Sequence, residues 1–470
     1  MKCQVRISEQ VWADLSALIF RRYPRREWGT FLDCAWGEAS GELILTIQGF
    51  RQPKPGDLDE DIPIFGVNDR FTERVALGAE SSKLAVGVVH SHPEDCACFP
   101  SELDDDMDGY FSKYFSSFAP GRPYLSVIFS VDKFGALHFS GRCWWKGKWI
   151  KAEKVSIVGK RLLRVWGDNI ERKCVPDRVR KRLGRLVDGL GAKAADLLWN
   201  SFVVVIGAGG TGSPAIHSLV RAGVGKIAFI DPQLIDYTNA ERIHGILETD
   251  LLKEPKPAKV EIARRLVKGI SSDVEAIAFQ GNALEPEALE LLAVADIILG
   301  CTDSEHGRAL VSDLATRLLI PALHVNVGME GEDEITGEIV HFTQYAPGLP
   351  CAYCRGQVDG QLLAQELMPE SERAARMEVA RRAEEGGAYW QDEPIIPTIG
   401  ALTTIAGEHS ANYAVGLLTG RYAPPAAFFE INLVAPRFGM AEAEFGPLKS
   451  CLCQKREGLA EQIEPLVSNS

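Results

Sequence analysis

The stretch Val203-Val204-Val205-Ile206-Gly207-Ala208-Gly209-Gly210-Thr211-Gly212-Ser213 constrains this chain more than any other. Four β-branched residues in a row read as a strand buried on both faces. The glycines that follow read as a tight turn into a helix, which presents backbone N–H groups and the positive end of a helix dipole to a phosphate. Such a turn belongs to a doubly wound α/β domain. The pattern Gly207-x-Gly209-x-x-Gly212 fits any dinucleotide-binding turn, a nicotinamide site included, so residues elsewhere decide what is held.

At 470 residues the chain exceeds one ordinary core, and two or three domains are expected. With 46% hydrophobic and 24% charged residues it reads as globular. No apolar run of about 18 residues is present, so no membrane span is expected. The opening Met1-Lys2-Cys3-Gln4-Val5-Arg6 lacks the apolar run of an export signal. A cytoplasmic location follows as an expectation, with the 11 cysteines reduced and available for metal or chemistry. A formal charge of −13 argues against nucleic acid as partner. The basic run Arg178 to Arg185 reads as a solvated helix face.

Residues 1–150 read as one domain. A helix is expected from Ser8 to Phe20, with strands at Thr30–Ala35 and Glu42–Gln48 and a polar loop from Pro53 to Pro63. A helix over Asp69–Ala79 and a strand over Leu84–Val89 follow, then strands at Tyr124–Ser130, Ala136–Ser140 and Cys143–Ile150. The strand ending at Val89 runs into His90-Ser91-His92-Pro93, followed by Ser101 and Asp104. Histidines at i and i+2 on a strand share a face, so both rings can reach one ion. Asp104 from the next helix completes a three-ligand set and leaves a fourth position open, the arrangement of a catalytic zinc. Cys96, Cys98, Asp105 and Asp106 read as loop or solvated neighbours.

This arrangement resembles the JAMM/MPN (Mov34-type) metalloprotease family, whose motif is His-x-His-Pro, seven residues, then Ser-x-x-Asp. Glu27-Trp28-Gly29-Thr30-Phe31-Leu32 also matches that family's Glu-x-Gly-x-x-Leu setting on an upstream strand. The resemblance implies an α-β-α metalloprotease domain with zinc on His90, His92 and Asp104. It implies that Glu27 takes a proton from the attacking water and that Ser101 bonds the developing oxyanion. Glu38 and Glu42 lie near Glu27 but lack its neighbours.

Residues 151–195 are expected to be a helical connector, with Val155–Trp166 readable as strand or helix and Asp177–Asn200 as a helix. Residues 196–470 form the second domain. A helix over Pro214–Ala222 leads to a strand, Lys226–Ile230, that ends in Asp231, an acid about 20 residues past the glycines and suited to ribose hydroxyls. Asn239, Arg242, Lys256, Lys259 and Asp303 then converge on the phosphate end. A nicotinamide site has little use for them, whereas splitting ATP between its α- and β-phosphates needs cations for the pyrophosphate and a carboxylate for Mg²⁺.

From about Leu183 onward the chain resembles the adenylating domain of ubiquitin-activating enzymes and their bacterial ThiF/MoeB-type relatives. The matching parts are the Gly207, Gly209, Gly210 and Gly212 turn, Asp231, Asn239 with Arg242, Lys259, and Cys301-Thr302-Asp303. The resemblance implies that Asp231 binds ribose, that Arg242 and Lys259 bind phosphates (Lys256 being the alternative lysine), and that Asp303 holds Mg²⁺. It also implies a structural zinc on two cysteine pairs. Cys351 and Cys354 have the family spacing, while Cys451 and Cys453 have one residue between them instead of two. No cysteine stands between Cys354 and Cys451, where ubiquitin-activating enzymes carry their thioester residue. Gln361–Gly387 there reads as polar helix, and Cys301 reads as structural.

The fusion implies a bifunctional enzyme of a bacterial ubiquitin-like modifier pathway. A zinc (iso)peptidase would trim or deconjugate a small β-grasp protein, and a MgATP-dependent step would adenylate its C-terminal glycine. The alternative is an adenylyltransferase for a sulfur-carrier protein with a processing peptidase. A conjugating-type protein or sulfur donor would accept the product, and a homodimer is expected by analogy.

Overall fold

The computed structural model describes residues 1–382 and 397–461, apart from 95, 169, 332 and 444. The chain divides into two compact units. One is built from Met1–Lys173 with the short returns Thr316–Leu319 and Leu452–Pro465, the other from Cys174–Ala315 and Ile320–Cys451. No helix among the described residues is long and apolar enough to cross a membrane.

The first unit runs β1 (Lys2–Ser8), α1 (Glu9–Ile19), β2 (Gly29–Ala39), β3 (Glu42–Phe50), α2 (Asp69–Ser81), β4 (Ala85–Ser91), α3 (Glu102–Phe118), β5 (Tyr124–Val131), β6 (Leu137–Trp145), β7 (Lys148–Val158) and β8 (Leu162–Trp166). Its strands lie in the order β1-β3-β2-β4-β5-β6-β7-β8, and β1 also pairs with β7. Seven strands therefore close on themselves, which leaves no free edge in the ring. Cys3, Val5 and Ile7 of β1 alternate into one core with Leu43, Leu45, Val127 and Phe139, and Leu15 and Ile19 of α1 pack into it. Val86 and Val88 of β4 point the other way, onto Phe71, Val75, Phe111 and Phe115 of α2 and α3. The two-residue period of β4 thus carries His90 to the helix-covered face.

Three expectations change here. The N-terminal residues Lys2–Ser8 are a strand, although only the following helix was expected. The stretch Val155–Trp166 is strand, an antiparallel hairpin of β7 with β8. The break expected near residues 141–142 is absent: β6 continues to Trp145 and turns at Lys146 and Gly147, both at positive φ.

The second unit begins with α4 (Asp177–Arg182), α5 (Gly184–Leu190) and α6 (Ala192–Trp199), where one helix was expected. Gly191, at φ +90°, breaks the run before α6. Then follow β9 (Phe202–Ile206), α7 (Gly212–Arg221), β10 (Lys226–Ile230), α8 (Glu248–Leu251), α9 (Lys259–Ile270), β11 (Glu275–Phe279), α10 (Pro286–Ala293), β12 (Ile297–Gly300) and α11 (Glu305–Arg317). The unit closes with β13 (Ala322–Glu330), β14 (Gly337–Tyr345), α12 (Gly360–Glu366), α13 (Glu370–Arg382), α14 (Gly400–Thr419), β15 (Phe428–Asn432) and β16 (Gly439–Glu442). The expected helix over Gln361–Gly387 is two helices, α12 and α13, with a break at residues 367–369; residues 383–387 lie outside the described residues.

The second sheet has the order β11-β10-β9-β12-β13-β14-β15-β16. Strands β11 through β13 are parallel and the last three are antiparallel. Strand order reverses between β9 and β12, so a crevice opens beyond their carboxyl ends, where ligands bind in open α/β sheets. This is a mixed α/β unit of Rossmann-like form. The basic run is committed within it: Arg178 pairs with Asp273, Arg180 with Asp196, and Arg182 donates to the Ile270 and Val220 carbonyls.

Candidate functional site

Two constellations stand out, one in each unit. In the second unit the glycine turn fills the crevice at the strand-order reversal. Gly207 has φ +91°, and a Cβ there would lie 2.4 Å from the Cys301 carbonyl. A Cβ on Gly212 would lie 1.9 Å from the Gly207 carbonyl oxygen, so only glycine lets the turn fold onto α7. Gly209 has nothing within 4 Å of its Cβ position, the one open direction of the turn. Beside Gly210 lie the Arg242 stem and the Thr403 hydroxyl, each 3.0 Å from the Cβ position.

Asp231 ends β10. Its Oδ2 accepts from Ala208 N at 2.8 Å and its Oδ1 from Gln233 N at 2.9 Å, which ties the glycine turn to the end of β10 and leaves a lone pair on each oxygen. Asn239 is buried, and its Oδ1 accepts from Asp236 N while Asp236 Oδ1 accepts from Asn239 N. The reciprocal cap sets the turn from which Arg242 projects; Arg242 N donates to the Asn239 carbonyl at 3.1 Å. Lys259 opens α9 and donates from Nζ to Gln233 Oε1, beside Asp231. Lys256 instead pairs with Glu254 at 2.8 Å. Asp303 is exposed at the end of β12. Burial pushes the Cys301 thiol up to about 12, which makes it a poor nucleophile.

Sequence reasoning missed several groups here. Glu241 Oε2 accepts from Gly400 N at 2.8 Å and so fastens the start of α14 to the Arg242 turn. Glu366 Oε1 and Oε2 accept from the N–H groups of Glu305 and His306, and cap α11 just past Asp303. His324 on β13 lies with Nε2 3.1 Å from the Thr302 carbonyl, an acceptor only, so this nitrogen carries the proton. Burial, with Arg308 adding to it, lowers His324 to about 3 from an ordinary 6.5. The unfolded chain therefore takes up a proton below pH 6.5 that the folded chain refuses, and stability falls with acid between those values. We expect the His324→Gln chain, which keeps a donor but cannot titrate, to lose less stability between pH 7 and pH 4.5 than the parent. The difference should approach about 1.4 kcal/mol per pH unit below 6.5. Urea melts across that range check it, and parallel slopes would count against a buried neutral His324.

In the first unit, His90, His92 and Asp104 are all buried and offer ligand atoms within 4.8 Å of one another. His90 Nε2 stands 3.1 Å from Asp104 Oδ1 without the alignment of a hydrogen bond, and His92 Nε2 stands 3.6 Å from Asp104 Oδ2. Both ring nitrogens of His90 and Nε2 of His92 are buried with no hydrogen-bond partner. Buried polar atoms are nearly always satisfied, so lone pairs converging on one point fit a cation. His92 Nδ1 lies 3.0 Å from the Ala97 carbonyl, which fixes its proton there and leaves Nε2 with a lone pair. Burial alone would raise Asp104, but His90, His92 and Ser101 outweigh it and hold the carboxyl well below the usual range.

Glu27 sits two residues before β2 rather than on it. Its Oε2 accepts from Phe65 N at 2.8 Å, its own N–H donates to the Pro63 carbonyl, and Oε1 is left 3.9 Å from His92 Nε2. Phe65 also stacks on the His90 ring, centroids 5.5 Å apart and planes within 6°. Sequence reasoning missed Phe65 and read its neighbourhood only as polar loop. Ser101 is the N-cap of α3, and its hydroxyl donates to Asp104 Oδ2 at 2.7 Å. Glu38 bonds Trp145 Nε1 and Lys146, and Glu42 bonds Gln4, both away from the cluster. Cys98 donates to the Ile128 carbonyl, and Cys96 and Cys98 are outside the ligand set among the described residues.

Cys351, Cys354, Cys451 and Cys453 bring four Sγ atoms within 4.8 Å of one another. Cys351 and Cys451 Sγ are 3.6 Å apart, and backbone N–H groups of Cys354 and Leu448 point at Cys351 and Cys354 Sγ, each at 3.4 Å. The shortened second pair still reaches a four-sulfur arrangement suited to zinc.

A model of the ThiF family matches residues 183–454, more than half of the chain. Two curated relatives, each described as an adenylyltransferase and sulfurtransferase UBA4, come from Candida glabrata, 32% identical over 177 residues, and Kluyveromyces lactis, 30% identical over 178 residues. In both cases 37% of this chain is covered, and the chain spans only 39% and 38% of those relatives' lengths. Among solved structures, E. coli MccB with ATP is similar at 19% identity and a TM-score of 0.41, covering 59% of this chain and 74% of that one.

Proposed function

Because the chain belongs to the ThiF family, we propose that its second unit uses MgATP to adenylate the C-terminal glycine of a small β-grasp sulfur-carrier protein. The observation that carries this reading is the set of groups around one crevice: the open Gly209 direction, Asp231, the Arg242 stem against Gly210, Lys259 and the exposed Asp303. A glycine carboxylate oxygen attacks the α-phosphorus of ATP. The bond to the bridging oxygen of the β-phosphate breaks, and pyrophosphate leaves with that electron pair. Asp231 accepts from the ribose hydroxyls, the glycine-turn N–H groups face phosphate, and Arg242 and Lys259 offset the charge of the departing pyrophosphate. Asp303 would hold Mg²⁺, which supplies charge neutralisation at the phosphates.

The sulfur-carrier direction is favoured over conjugation by the relatives' description as adenylyltransferase and sulfurtransferase and by the absence of any cysteine between Cys354 and Cys451. The adenylate would pass to a sulfur donor or a thiol on another protein. Zinc on the four cysteines would be structural.

We propose further that the first unit is a JAMM/MPN-type metallopeptidase acting on the carrier's C-terminus; the unpartnered ring nitrogens of His90 and His92 support this. Zinc held by His90, His92 and Asp104 would supply Lewis acidity and a nucleophilic water at neutral pH. Glu27 Oε1 takes the proton and later returns it to the leaving amine, while Ser101 and Ala97 orient the ligands. A second reading, in which the same pair of activities serves protein conjugation, draws on this site too, since a peptidase of that kind also opens isopeptide bonds.

The test is intact-mass spectrometry of a β-grasp protein carrying residues beyond Gly-Gly, incubated with the full chain. Trimming is expected without ATP and should stop with a zinc chelator. An added AMP mass on the trimmed glycine is expected only with MgATP. Carrier-independent nucleotide turnover, or binding of NAD in place of MgATP, would count against the adenylation reading.

A further inference from the structure

The reversal of strand order brings two helix N-termini to one crevice: α7 starts after β9, and α11 after the neighbouring β12. Either could offer phosphate the same things, free backbone N–H groups and the positive end of a helix dipole. The two ends are built differently. The Thr211 side chain makes no capping bond to α7, and the turn before it is open at Gly209. At α11 the first three N–H groups are taken. Glu305 N donates to Glu366 Oε1 at 2.9 Å, His306 N to Glu366 Oε2 at 2.7 Å, and Gly307 N to Ser304 Oγ at 3.2 Å. His306 Nδ1 stands 2.7 Å from Glu366 Oε2 as well, so one carboxylate answers three donors. Glu366 ends α12, which is fastened at its other end too: Asp359 caps α12, and its N–H donates to Glu305 Oε2 at 2.9 Å. Arg308 pairs with Glu305 Oε1 at 2.8 Å and donates to the Gln357 carbonyl. Both ends of α12 therefore bear on the turn that follows Asp303.

We propose that Glu366 is a positioning residue of the adenylation site: its carboxylate closes the end of α11 to phosphate, leaves phosphate to α7, and holds the Asp303 turn for a cation. The inference rests on the reading that the second unit binds MgATP with Asp303 on the metal. A carboxylate at a helix N-terminus offsets the dipole there, and it adds negative charge on the side where Asp303 stands, two residues before Glu305. The crevice thereby gains a polarity, phosphate toward the glycine turn and metal toward β12, that its two helices alone would not give. Stability of α11 by itself does not call for a charged group, since a hydroxyl or water satisfies such N–H groups.

Calorimetric binding of ATP to the full chain, without carrier and across a range of free Mg²⁺, tests this. Glu366→Asp keeps the carboxylate, whereas Glu366→Gln removes the charge and sets an amide N–H₂ against the α11 donors. We expect the Gln chain to need about tenfold more Mg²⁺ for half-maximal ATP binding and the Asp chain to stay within about threefold of wild type; groups outside a metal's ligand shell are worth about 10–100-fold. ATP affinity without Mg²⁺ should be unchanged or higher in the Gln chain, because no carboxylate then closes the end of α11. That second readout separates the proposal from a purely structural role. A loosened crevice would bind ATP more weakly with and without Mg²⁺ alike, and such a result would overturn the proposal. A Gln chain with wild-type Mg²⁺ dependence would overturn it too. Should the Gln chain not fold, Glu366→Ala, which opens the same N–H groups to water, is judged by the same two readouts. A wild-type chain that binds no ATP at any Mg²⁺ concentration would overturn the MgATP reading itself.

Discussion

Replacing Glu27 by glutamine is expected to slow peptide cleavage by about 10²–10⁴-fold while leaving zinc content and substrate KM unchanged. The side chain keeps its shape, and an amide oxygen can still accept from Phe65 N, which holds Glu27 Oε2 at 2.8 Å. What is lost is a group able to take a proton where Oε1 now stands, 3.9 Å from His92 Nε2. Glu27 is outside the His90, His92 and Asp104 set, so metal should stay. His92→Ala should instead lose metal and activity together. The assay is trimming of a Gly-Gly-extended β-grasp protein without ATP, with zinc measured on the same samples. Wild-type cleavage by the Gln chain would remove Glu27 from the mechanism, and loss of zinc would make it a structural group.

The second large effect is expected at Asp303. Asp303→Ala should lower carrier-dependent ATP–pyrophosphate exchange by about 10²–10³-fold, the usual loss on removing one charge-stabilising group from a transition state. The carboxylate is exposed at the end of β12, next to a turn held by His324 on the Thr302 carbonyl and by Glu366 on the first N–H groups of α11. These neighbours make the turn independent of the Asp303 side chain, so the variant should fold and melt like the parent. An exchange rate within threefold of wild type would move Mg²⁺ binding elsewhere.

The groups whose meeting was legible in the sequence are those whose spacing alone brings them together. His90 and His92 differ by one strand period, Asp104 comes from the first turn of α3, and Gly207 and Gly212 sit where a Cβ would meet backbone. That Lys259 turns toward Gln233 and Lys256 toward Glu254 was not legible, because it depends on how the loop between them folds. Phe65 and Ala97 act through a backbone N–H and a carbonyl, which every residue owns, so no side-chain pattern announces them. His324 is a lone histidine in an apolar strand whose partner is again a carbonyl. The β1 strand was not expected from the sequence, although Cys3, Val5 and Ile7 alternate into one core. Nor were its partners, since Val5 lies opposite Leu45 on one side and Val155 on the other.

That double pairing bears on how the first unit is made. Strand β1 completes the circle, and one of its two neighbours, β7, leaves the ribosome roughly 150 residues after it. Pairing at that separation is slow, because loop closure must precede any gain from contact. Until then both flanks of the gap present unpaired backbone, the state most open to self-association. A bulky tag placed directly on Met1 therefore burdens the last joint to form, whereas an early stop anywhere before β7 yields a chain that cannot close at all.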